Sequence, residues 1–281
     1  MSLPQRENDM YTRHDGRSAQ SSRPFKITYN VFEHAAGSVL FEIGKTKVLC
    51  AVTLQSGVPP FLRGQGTGWL TAEYALLPTS TATRTNREGS MMRRHGRSIE
   101  ISRLISRGLR TAIDFSALGE RTIHVDCDVL HADAGTRTAS ITGSFAALVA
   151  AQNVWLETNV IDRPFLVHEL AAISVGVLEA GPVLDPDYVE DSSGGADINF
   201  IITRNGDVVE IQGGGEKRPI AWNMFEESGV LARTGIRRIF EFLDTQSHYK
   251  PVFFVQSAVP LRTARKAPLF SLQNRQNISV E

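Results

Sequence analysis

Residues 122–157 restrict the possible folds of this 281-residue chain more than any other stretch. From 122 to 131, apolar residues alternate with polar ones, which predicts a strand with one buried face. A short turn at 132–137 leads into a run of small and apolar residues, which predicts a helix over roughly 138–157. The stretch therefore predicts a strand, a turn and a helix in direct succession.

Turn signals and periodicity predict the other elements. Gly44-Lys45-Thr46 and Arg204-Asn205-Gly206 each separate two apolar, β-branched runs, which predicts two hairpins. The predicted strands are 38–43, 47–54, 171–178, 183–187, 197–203 and 207–212, the further predicted helices are 97–118 and 223–243, and the predicted loops are 57–68 and 79–95. Antiparallel hairpins with interspersed helices predict the α+β class.

Composition and the start of the chain argue against a membrane or secreted protein. Hydrophobic residues make up 42% of the chain and charged residues 21%, as in an ordinary globular protein. No apolar run approaches the roughly 20 residues that span a bilayer, and residues 1–23 are polar, without the apolar segment of a signal peptide. Cys50 and Cys127 lie in predicted buried strands and are interpreted as reduced core cysteines. We therefore expect a cytoplasmic protein with no membrane association and a mobile, polar start.

Charge is unevenly distributed although the net charge is zero. Between residues 84 and 110 only two glutamates accompany eight arginines, which are Arg84, Arg87, Arg93, Arg94, Arg97, Arg103, Arg107 and Arg110. Because arginine binds phosphate through a planar fork, this excess favours contacts to a nucleic-acid backbone. The alternative is a solvated helix face with ion pairs inside the chain. Residues 164–203 form a second, acidic segment without Lys or Arg.

Gly135-Thr136-Arg137-Thr138 lies between the predicted strand and helix. A helix N-terminus presents free backbone amides and a partial positive charge, which suit a phosphate group. Gly135 permits close approach, Thr136 adds a hydroxyl and Arg137 adds a bidentate donor. The alternative is that Thr136 or Thr138 caps the helix and Arg137 is a surface residue.

Asp191 and Asp197 lie in a Gly- and Ser-rich segment that we predict to be a loop leading into a strand. If the loop folds back, the two carboxylates can hold Mg²⁺ among phosphates, and one of them can act as a general acid. The alternative is that both are ordinary loop acids and that Asp191 caps a turn. Spacing alone leaves both interpretations open.

Short motifs follow one another in order through most of the chain. They are Asp15-Gly16-Arg17, Gly44-Lys45-Thr46-Lys47-Val48-Leu49-Cys50, Gly64-Gln65-Gly66-Thr67-Gly68-Trp69, Thr71-Ala72-Glu73-Tyr74, Gly96-Arg97 with Glu100-Ile101, Asp126-Cys127-Asp128-Val129, Gly135-Thr136-Arg137-Thr138, and Tyr188-Val189-Glu190-Asp191-Ser192 with Asp197. In this order and spacing they resemble bacterial ribonuclease PH over about residues 13–246. Residues 1–12 are then a disordered extension, and residues 247–281 are a C-terminal extension of unknown role.

The resemblance implies the ribonuclease PH fold, in which two similar βαβα halves combine mixed or antiparallel sheets with central helices. It also implies a homohexamer built as a trimer of dimers. The implied activity is that of a phosphate-dependent 3′→5′ exoribonuclease, a reversible nucleotidyltransferase that shortens tRNA precursors and other RNAs and releases nucleoside diphosphates. Inorganic phosphate is then a co-substrate, and Mg²⁺ or Mn²⁺ is the cofactor.

Where the motifs match, the resemblance also implies roles for single residues. The residues that bind the attacking phosphate are Arg97, Gly135 through its backbone, Thr136 and Arg137. Asp191 and Asp197 form the catalytic pair that holds the metal ion, with Asp197 as the general acid. The arginines that guide RNA are Arg84, Arg87, Arg93, Arg94, Arg103 and Arg107.

The sequence departs from the family pattern near the phosphate motif. Ala134 replaces the first glycine of the usual Gly-Gly-Thr-Arg, and Ser98 replaces a threonine. If position 134 needs a positive φ, alanine is strained there, and we expect the strain to be tolerated. Two other functions stay open. One is a non-catalytic RNA-binding subunit of an exosome-like ring, which predicts a broken acidic pair, and the other is a metal-dependent hydrolase that uses water.

Overall fold

The computed structural model describes residues 13–87, 95–215 and 219–254. Within these residues the elements are, in chain order, β1 (Phe25–Tyr29), β2 (Gly37–Ile43), β3 (Thr46–Ser56), β4 (Trp69–Leu76), α1 (Gly96–Arg110), β5 (Arg121–His131), α2 (Thr136–Glu157), β6 (Leu170–Leu178), β7 (Gly181–Leu184), α3 (Tyr188–Ser193), β8 (Ala196–Thr203), β9 (Val208–Gly215) and α4 (Trp222–Asp244). Each half of the chain thus consists of strands, a helix, one or two further strands and a second helix. This confirms the α+β class and the two βαβα halves.

Each half contributes one sheet. The first sheet has five strands in the order β1-β2-β3-β5-β4, in which β4 runs parallel to β5 and the other pairs are antiparallel. The second sheet has four antiparallel strands in the order β7-β6-β8-β9. In the first sheet Cys50 lies opposite Cys127, and both cysteines are buried and unoxidised. The predicted mixed and antiparallel sheets are therefore confirmed.

Helix α2 lies between the two sheets. It packs against β2 and β3 on one side and against β6 on the other. Contact with the first sheet depends on Gly143, where a Cβ atom would lie 2.9 Å from both Cys50 Sγ and Phe41 Cβ. On the other side, the Ala172 amide donates to Thr142 Oγ1 over 3.0 Å. Helix α1 packs beside α2 and on β4, and α4 covers the outer face of the second sheet.

Helix α2 is 22 residues long and, by length and composition alone, apolar enough to cross a membrane. This differs from the expectation that no apolar segment reaches that length. The helix is nevertheless a core element, since 78% of its most apolar 18-residue stretch is buried inside the protein. Small side chains such as Ala146 and Ala147, both fully buried, let the sheets approach the helix closely.

Some predicted boundaries are wrong. The helix predicted over 97–118 ends at Arg110, because Ile113 forms a β-bridge with Leu166 and the Asp114 amide donates to Phe165 O over 2.7 Å. Strands β1 and β4 and helix α3 are not predicted by the sequence pattern. Strand β4 contains alanine, glutamate and leucine, which favour helices, and it becomes a strand through parallel pairing with β5.

Residues 13–23 are packed against the fold, which corrects the prediction of a mobile start for these residues, while residues 1–12 lie outside the described residues. Arg13 is only 1% exposed. Its Nε donates to Glu190 Oε1 over 2.6 Å, and its terminal nitrogens donate to Leu184 O and Asp185 O over 2.7 and 2.9 Å. These bonds fasten the segment to the end of β7 and to α3.

Arginines from elsewhere in the chain neutralise much of the acidic segment 164–203. Arg23 pairs with the buried Asp185 through two bonds, from Nη2 to Oδ1 over 2.6 Å and from Nε to Oδ2 over 2.9 Å. Arg204 Nε lies 2.6 Å from Glu169 Oε2. Tertiary ion pairs thus offset part of the acidic charge that is concentrated in this segment.

Replacing Arg23 with methionine removes the closest charged partner of the buried Asp185 carboxylate. Because an uncompensated buried charge is costly, we expect Arg23→Met to lower the free energy of unfolding by about 3–5 kcal/mol. Arg237→Met on α4 is the control, since the ion pair of Arg237 with Glu241 is exposed and its loss should cost less than about 0.5 kcal/mol. Urea unfolding measures both effects, and equal stability of the two variants would show that Arg23 is not an anchor.

Candidate active site

The turn between β5 and α2 has a backbone conformation that favours glycine. Ala134 has a φ of 58° and Gly135 a φ of 66°, both in the left-handed region. The fully buried Thr46 of β3 holds this turn, since its Oγ1 donates to Ala134 O over 2.7 Å and accepts from the Asp133 amide over 3.0 Å. The departure at position 134 therefore places alanine where glycine is favoured, and Thr46 offsets the strain.

Helix α2 begins at Thr136, two residues earlier than predicted, with Gly135 as its N-cap residue. Gly135 has no side chain to accept hydrogen bonds from the first-turn amides, so these amides are available to an anion. A Cβ atom at Gly135 would lie 3.3 Å from Arg23 Nη2, so glycine also permits the approach of that guanidinium. The start of α2 thus combines backbone donors with a nearby cation.

Thr136, Arg97 and Arg137 lie around one buried tyrosine. The Tyr74 hydroxyl is 2.8 Å from Thr136 Oγ1, and Tyr74 is 1% exposed. Burial raises the pKa of Tyr74, while the hydrogen bond with Thr136 and the positive charges of Arg97 and Arg137 act in the opposite direction. Arg97 and Arg137 therefore both lie within electrostatic range of the Tyr74 hydroxyl that contacts Thr136.

Arg137 is oriented by a residue of the second sheet. Its Nη1 donates to Gln212 Oε1 over 2.6 Å and lies 3.4 Å from Glu100 Oε1. Gln212 Nε2 donates to the same Glu100 oxygen. Gln212 lies on β9, 75 residues from Arg137, so sequence spacing carries no signal for this contact. The guanidinium is therefore held where α1, α2 and β9 meet.

A chain of hydrogen bonds connects the first turn of α2 to Asp197. Thr138 Oγ1 lies 3.3 Å from Ser174 Oγ, which donates to Asn199 Oδ1 over 2.8 Å. Asn199 Nδ2 then donates to Asp197 Oδ2 over 2.8 Å. Ser174 and Asn199 are buried, so the chain fixes the carboxylate relative to the helix. Ser174 and Asn199 are hard to identify from the sequence, since each is only a polar residue within an otherwise apolar strand.

Asp191 lies on helix α3, which corrects the prediction of a loop at this position. The carboxylate of Asp187 accepts hydrogen bonds from the amides of Val189 and Glu190, and the Glu190 side chain accepts one from the Asp187 amide. This capping box satisfies the donors of the first turn and so stabilises a short helix, which ends at Ser193.

Both aspartates are connected to the turn before α2. Asp197, at the second position of β8, is reached through the chain described above. Helix α3, which carries Asp191, is joined to the turn because the Tyr188 amide donates to Asp133 Oδ1 over 3.2 Å. Two carboxylates are a suitable donor set for Mg²⁺, which keeps several waters and binds one or two carboxylates beside substrate phosphates. The residues present therefore fit the ion that the resemblance implies.

A different group of possible metal ligands lies at the start of α3, formed by His14, Asp187 and Glu190. Arg13 donates to both carboxylate oxygens of Glu190, and His14 Nε2 lies 2.7 Å from Asp187 Oδ2. A cation at this position would have to displace Arg13. We therefore interpret this group as part of the ion network that anchors the N-terminal segment.

The remaining arginines of the basic segment are partly paired. Arg84, Arg87 and Arg103 are exposed. Arg107 Nε donates to Glu210 Oε2 over 2.7 Å, which matches the alternative of an ion pair inside the chain. The predicted RNA contacts Arg93 and Arg94 lie outside the described residues.

The fold and the site together define a class of protein. It is an α+β protein in which side-chain hydrogen bonds connect a helix N-terminus suited to a phosphate group with an aspartate. The family model for domain 1 of the 3′ exoribonuclease family matches residues 21–153, and the model for domain 2 matches residues 168–221. Together the two matches contain every residue of the site described above from Thr46 to Gln212. The chain belongs to the 3′ exoribonuclease (RNase PH) family.

Solved structures share this fold. Rrp46 from rice (Oryza sativa) is 21% identical, with a TM-score of 0.67 over 83% of this chain and 99% of that chain. The Archaeoglobus fulgidus exosome with RNA bound to the active site is 24% identical, with a TM-score of 0.71 over 83% of this chain and 92% of that chain. An archaeal exosome core is 24% identical, with a TM-score of 0.68 over 82% and 90%. At these identities the similarity shows the fold.

Replacing Ala134 with glycine relieves the left-handed strain and keeps both Thr46 hydrogen bonds. We expect Ala134→Gly to raise the free energy of unfolding by roughly 0.5–1 kcal/mol, since the relieved strain exceeds the added entropy of the unfolded chain. The matched variant Gly135→Ala should be less stable, because it places a Cβ atom at a positive φ beside Arg23. Urea unfolding compares the two variants. Unchanged or lower stability of Ala134→Gly would show that Ala134 is not strained.

Proposed function

We propose that this protein is a phosphate-dependent 3′→5′ exoribonuclease that shortens tRNA precursors and other RNAs and releases nucleoside diphosphates. One observation carries the proposal, the buried hydrogen bonds that join the first turn of α2 to Asp197 through Ser174 and Asn199. Attack by phosphate on a phosphodiester requires an anion site and a proton donor in one rigid arrangement. Membership of the 3′ exoribonuclease family supports the same class of reaction.

The chain's own residues account for each step. Phosphate binds at the start of α2, where backbone amides, Thr136, Arg97 and Arg137 offset its charge. A phosphate oxygen attacks the phosphorus that joins the last nucleotide to the RNA, and the bond from this phosphorus to the preceding 3′ oxygen breaks. Asp197 donates a proton to that leaving oxygen. The products are a nucleoside diphosphate and a shortened RNA, and the reaction reverses when diphosphates are abundant.

We assign Mg²⁺ or Mn²⁺ to Asp191 and Asp197. Carboxylate oxygens suit a hard divalent cation that also binds substrate phosphates. When bound, the ion offsets the negative charge of the transferring group. The hydrogen bond from Asn199 orients the Asp197 carboxylate for this role.

The exposed Arg84, Arg87 and Arg103 are assigned to the RNA backbone, as are Arg93 and Arg94. Arg107 would have to leave Glu210 to take part. The RNA bound to the active site of the Archaeoglobus fulgidus exosome supports an RNA substrate for a chain with this fold.

We also propose a homohexameric ring, built as a trimer of dimers, and a cytoplasmic location. A measured mass in solution tests the ring.

A non-catalytic RNA-binding subunit of an exosome-like ring is the alternative, and the similarity to exosome proteins favours it. That function places no demand on the acidic pair or on the phosphate-binding arginine. Asp191, Asp197 and Arg137 are all present in this chain, which favours catalysis.

One assay separates the proposal from its alternatives. A tailed RNA is incubated with Mg²⁺, with and without inorganic phosphate, and the released nucleotide is identified by chromatography. We expect nucleoside diphosphates, and only when phosphate is present. Monophosphates without added phosphate would indicate a hydrolase, and no release would indicate a non-catalytic subunit.

Two substitutions test the residue roles. Arg137→Ala should raise the phosphate concentration needed for half-maximal rate by about 10- to 100-fold, since it removes a charge-assisted hydrogen bond. Asp197→Ala should lower the rate by at least about 100-fold while RNA binding, measured by filter retention, is unchanged. The exposed Asp162→Ala and Arg237→Ala are the matched controls. A near-normal rate for Asp197→Ala would refute its role as the acid.

A further inference from the structure

A cavity of about 460 Å³ lies between α1 and the edge strand β4. None of the residues of the turn between β5 and α2 lines it. The polar side chains that do are Thr71, Ser102, Arg103, Ser106, Arg107 and Arg110. Three positive charges therefore surround one cavity on the flank of α1.

Internal contacts account for only part of this charge. Arg107 pairs with Glu210, while Arg110 Nε donates to Leu70 O over 2.9 Å and its guanidinium stacks 4.0 Å from the centre of the Trp69 ring. Among the described residues, Arg103 has no ion-pair partner. Burial and, to a smaller extent, the charge of Arg107 lower the pKa of Arg110.

Ser102 supplies an independent observation. It is 8% exposed, and its Oγ has no hydrogen-bond partner among the described residues. Ser106, one turn further along α1, is fully used, since its Oγ accepts from the Ala72 amide and donates to Ser102 O, each over 2.8 Å. Buried hydroxyl groups are normally paired, so the Ser102 hydroxyl at the wall of this cavity indicates a missing acceptor.

We infer that the cavity is a second site for a phosphate group, separate from the one at the start of α2. Arg103 and Arg110 bind its oxygens, and Ser102 donates a hydrogen bond to one of them. A phosphate presents several oxygens to donors that converge from different directions, which suits this arrangement better than the two oxygens of a carboxylate. The group comes from one of two sources, an internal phosphodiester of RNA or free inorganic phosphate.

The position of the cavity along α1 suits a phosphodiester of the substrate. The proposed ligands Ser102 to Arg110 lie five to thirteen residues beyond Arg97 on one helix, which is roughly 8–20 Å at the helical rise per residue. An RNA whose last phosphodiester lies beside Arg97 and whose preceding nucleotides pass around α1 would thus place an upstream phosphate near the cavity. This choice of source rests on the proposed function, whereas the site itself does not.

Titration calorimetry with inorganic phosphate tests the free-ion source. Wild-type protein should bind two equivalents of phosphate and Arg137→Ala one. In the Arg137→Ala, Arg103→Gln double variant the remaining affinity should fall at least about tenfold. Arg237→Gln is the matched control, since Arg237 is an exposed arginine on α4, and it should retain both sites. An unchanged Tm shows that the variants are folded.

Binding of an RNA oligonucleotide to Asp197→Ala, measured at several salt concentrations, tests the phosphodiester source. Adding Arg103→Gln should weaken binding and reduce the slope of log K against log salt by about 1, because one phosphate contact is lost. Adding Ser102→Ala should weaken binding without changing the slope, because it removes a hydrogen bond and no charge.

An effect in either arm supports the site and identifies the source. The inference is wrong if neither phosphate nor RNA binding responds to Arg103→Gln and Ser102→Ala. It is also wrong if Arg103→Gln changes the mass in solution and leaves both kinds of binding intact, because the cavity is then an interface between copies of the chain. If the substitutions weaken both phosphate and RNA binding, but the wild-type protein shows no phosphorolysis, the result contradicts the proposed function and supports this site.

Discussion

Helix α2 is buried over most of its surface, and the positions of both sheets follow from that burial. Sixteen of its 22 residues are buried, and only its C-terminal part exposes side chains such as Val154 and Glu157 to water. Because a helix of this kind needs a packing layer on each side, β2 and β3 cover one face and β6 the opposite one. The first turn of α2 consequently lies where the two sheets meet. Tyr74 reaches it from the first sheet, and Ser174 reaches it from the second.

The N-terminal arginines complete this arrangement. Arg23 donates to Asp185 and to the carbonyl of Asp133, and Arg13 holds Glu190 on α3. The turn between β5 and α2 and the helix that carries Asp191 are thereby fastened to one buried network. Such a network holds the start of α2 and the helix that carries Asp191 in fixed positions relative to each other, which is the preorganisation that the proposed phosphoryl transfer needs. Much of the acidic segment therefore has a structural role.

Local signals account for a large part of the fold. Alternation in β5 and the glycine and asparagine turns of the hairpins depend on neighbouring residues, and these elements are predicted correctly. Strand β4 and the end of α1 are not, because each is decided by a partner that is distant in sequence. Strand β4 pairs with β5, and the segment after Arg110 leaves the helix to pair with residues 165 and 166.

By itself, the sequence determined the α+β class, the succession of strand, turn and helix, and the groups available for chemistry, namely a helix start suited to phosphate, two aspartates and an excess of arginine. Only the tertiary structure decided which of these groups share a site. It brought Gln212 to Arg137 across 75 residues and Arg13 to Glu190 across 177. The physical reason is the separation along the chain over which each interaction acts. Side-chain periodicity and turn geometry act over a few residues, whereas the contacts that orient a site form only when distant segments pack around the same core.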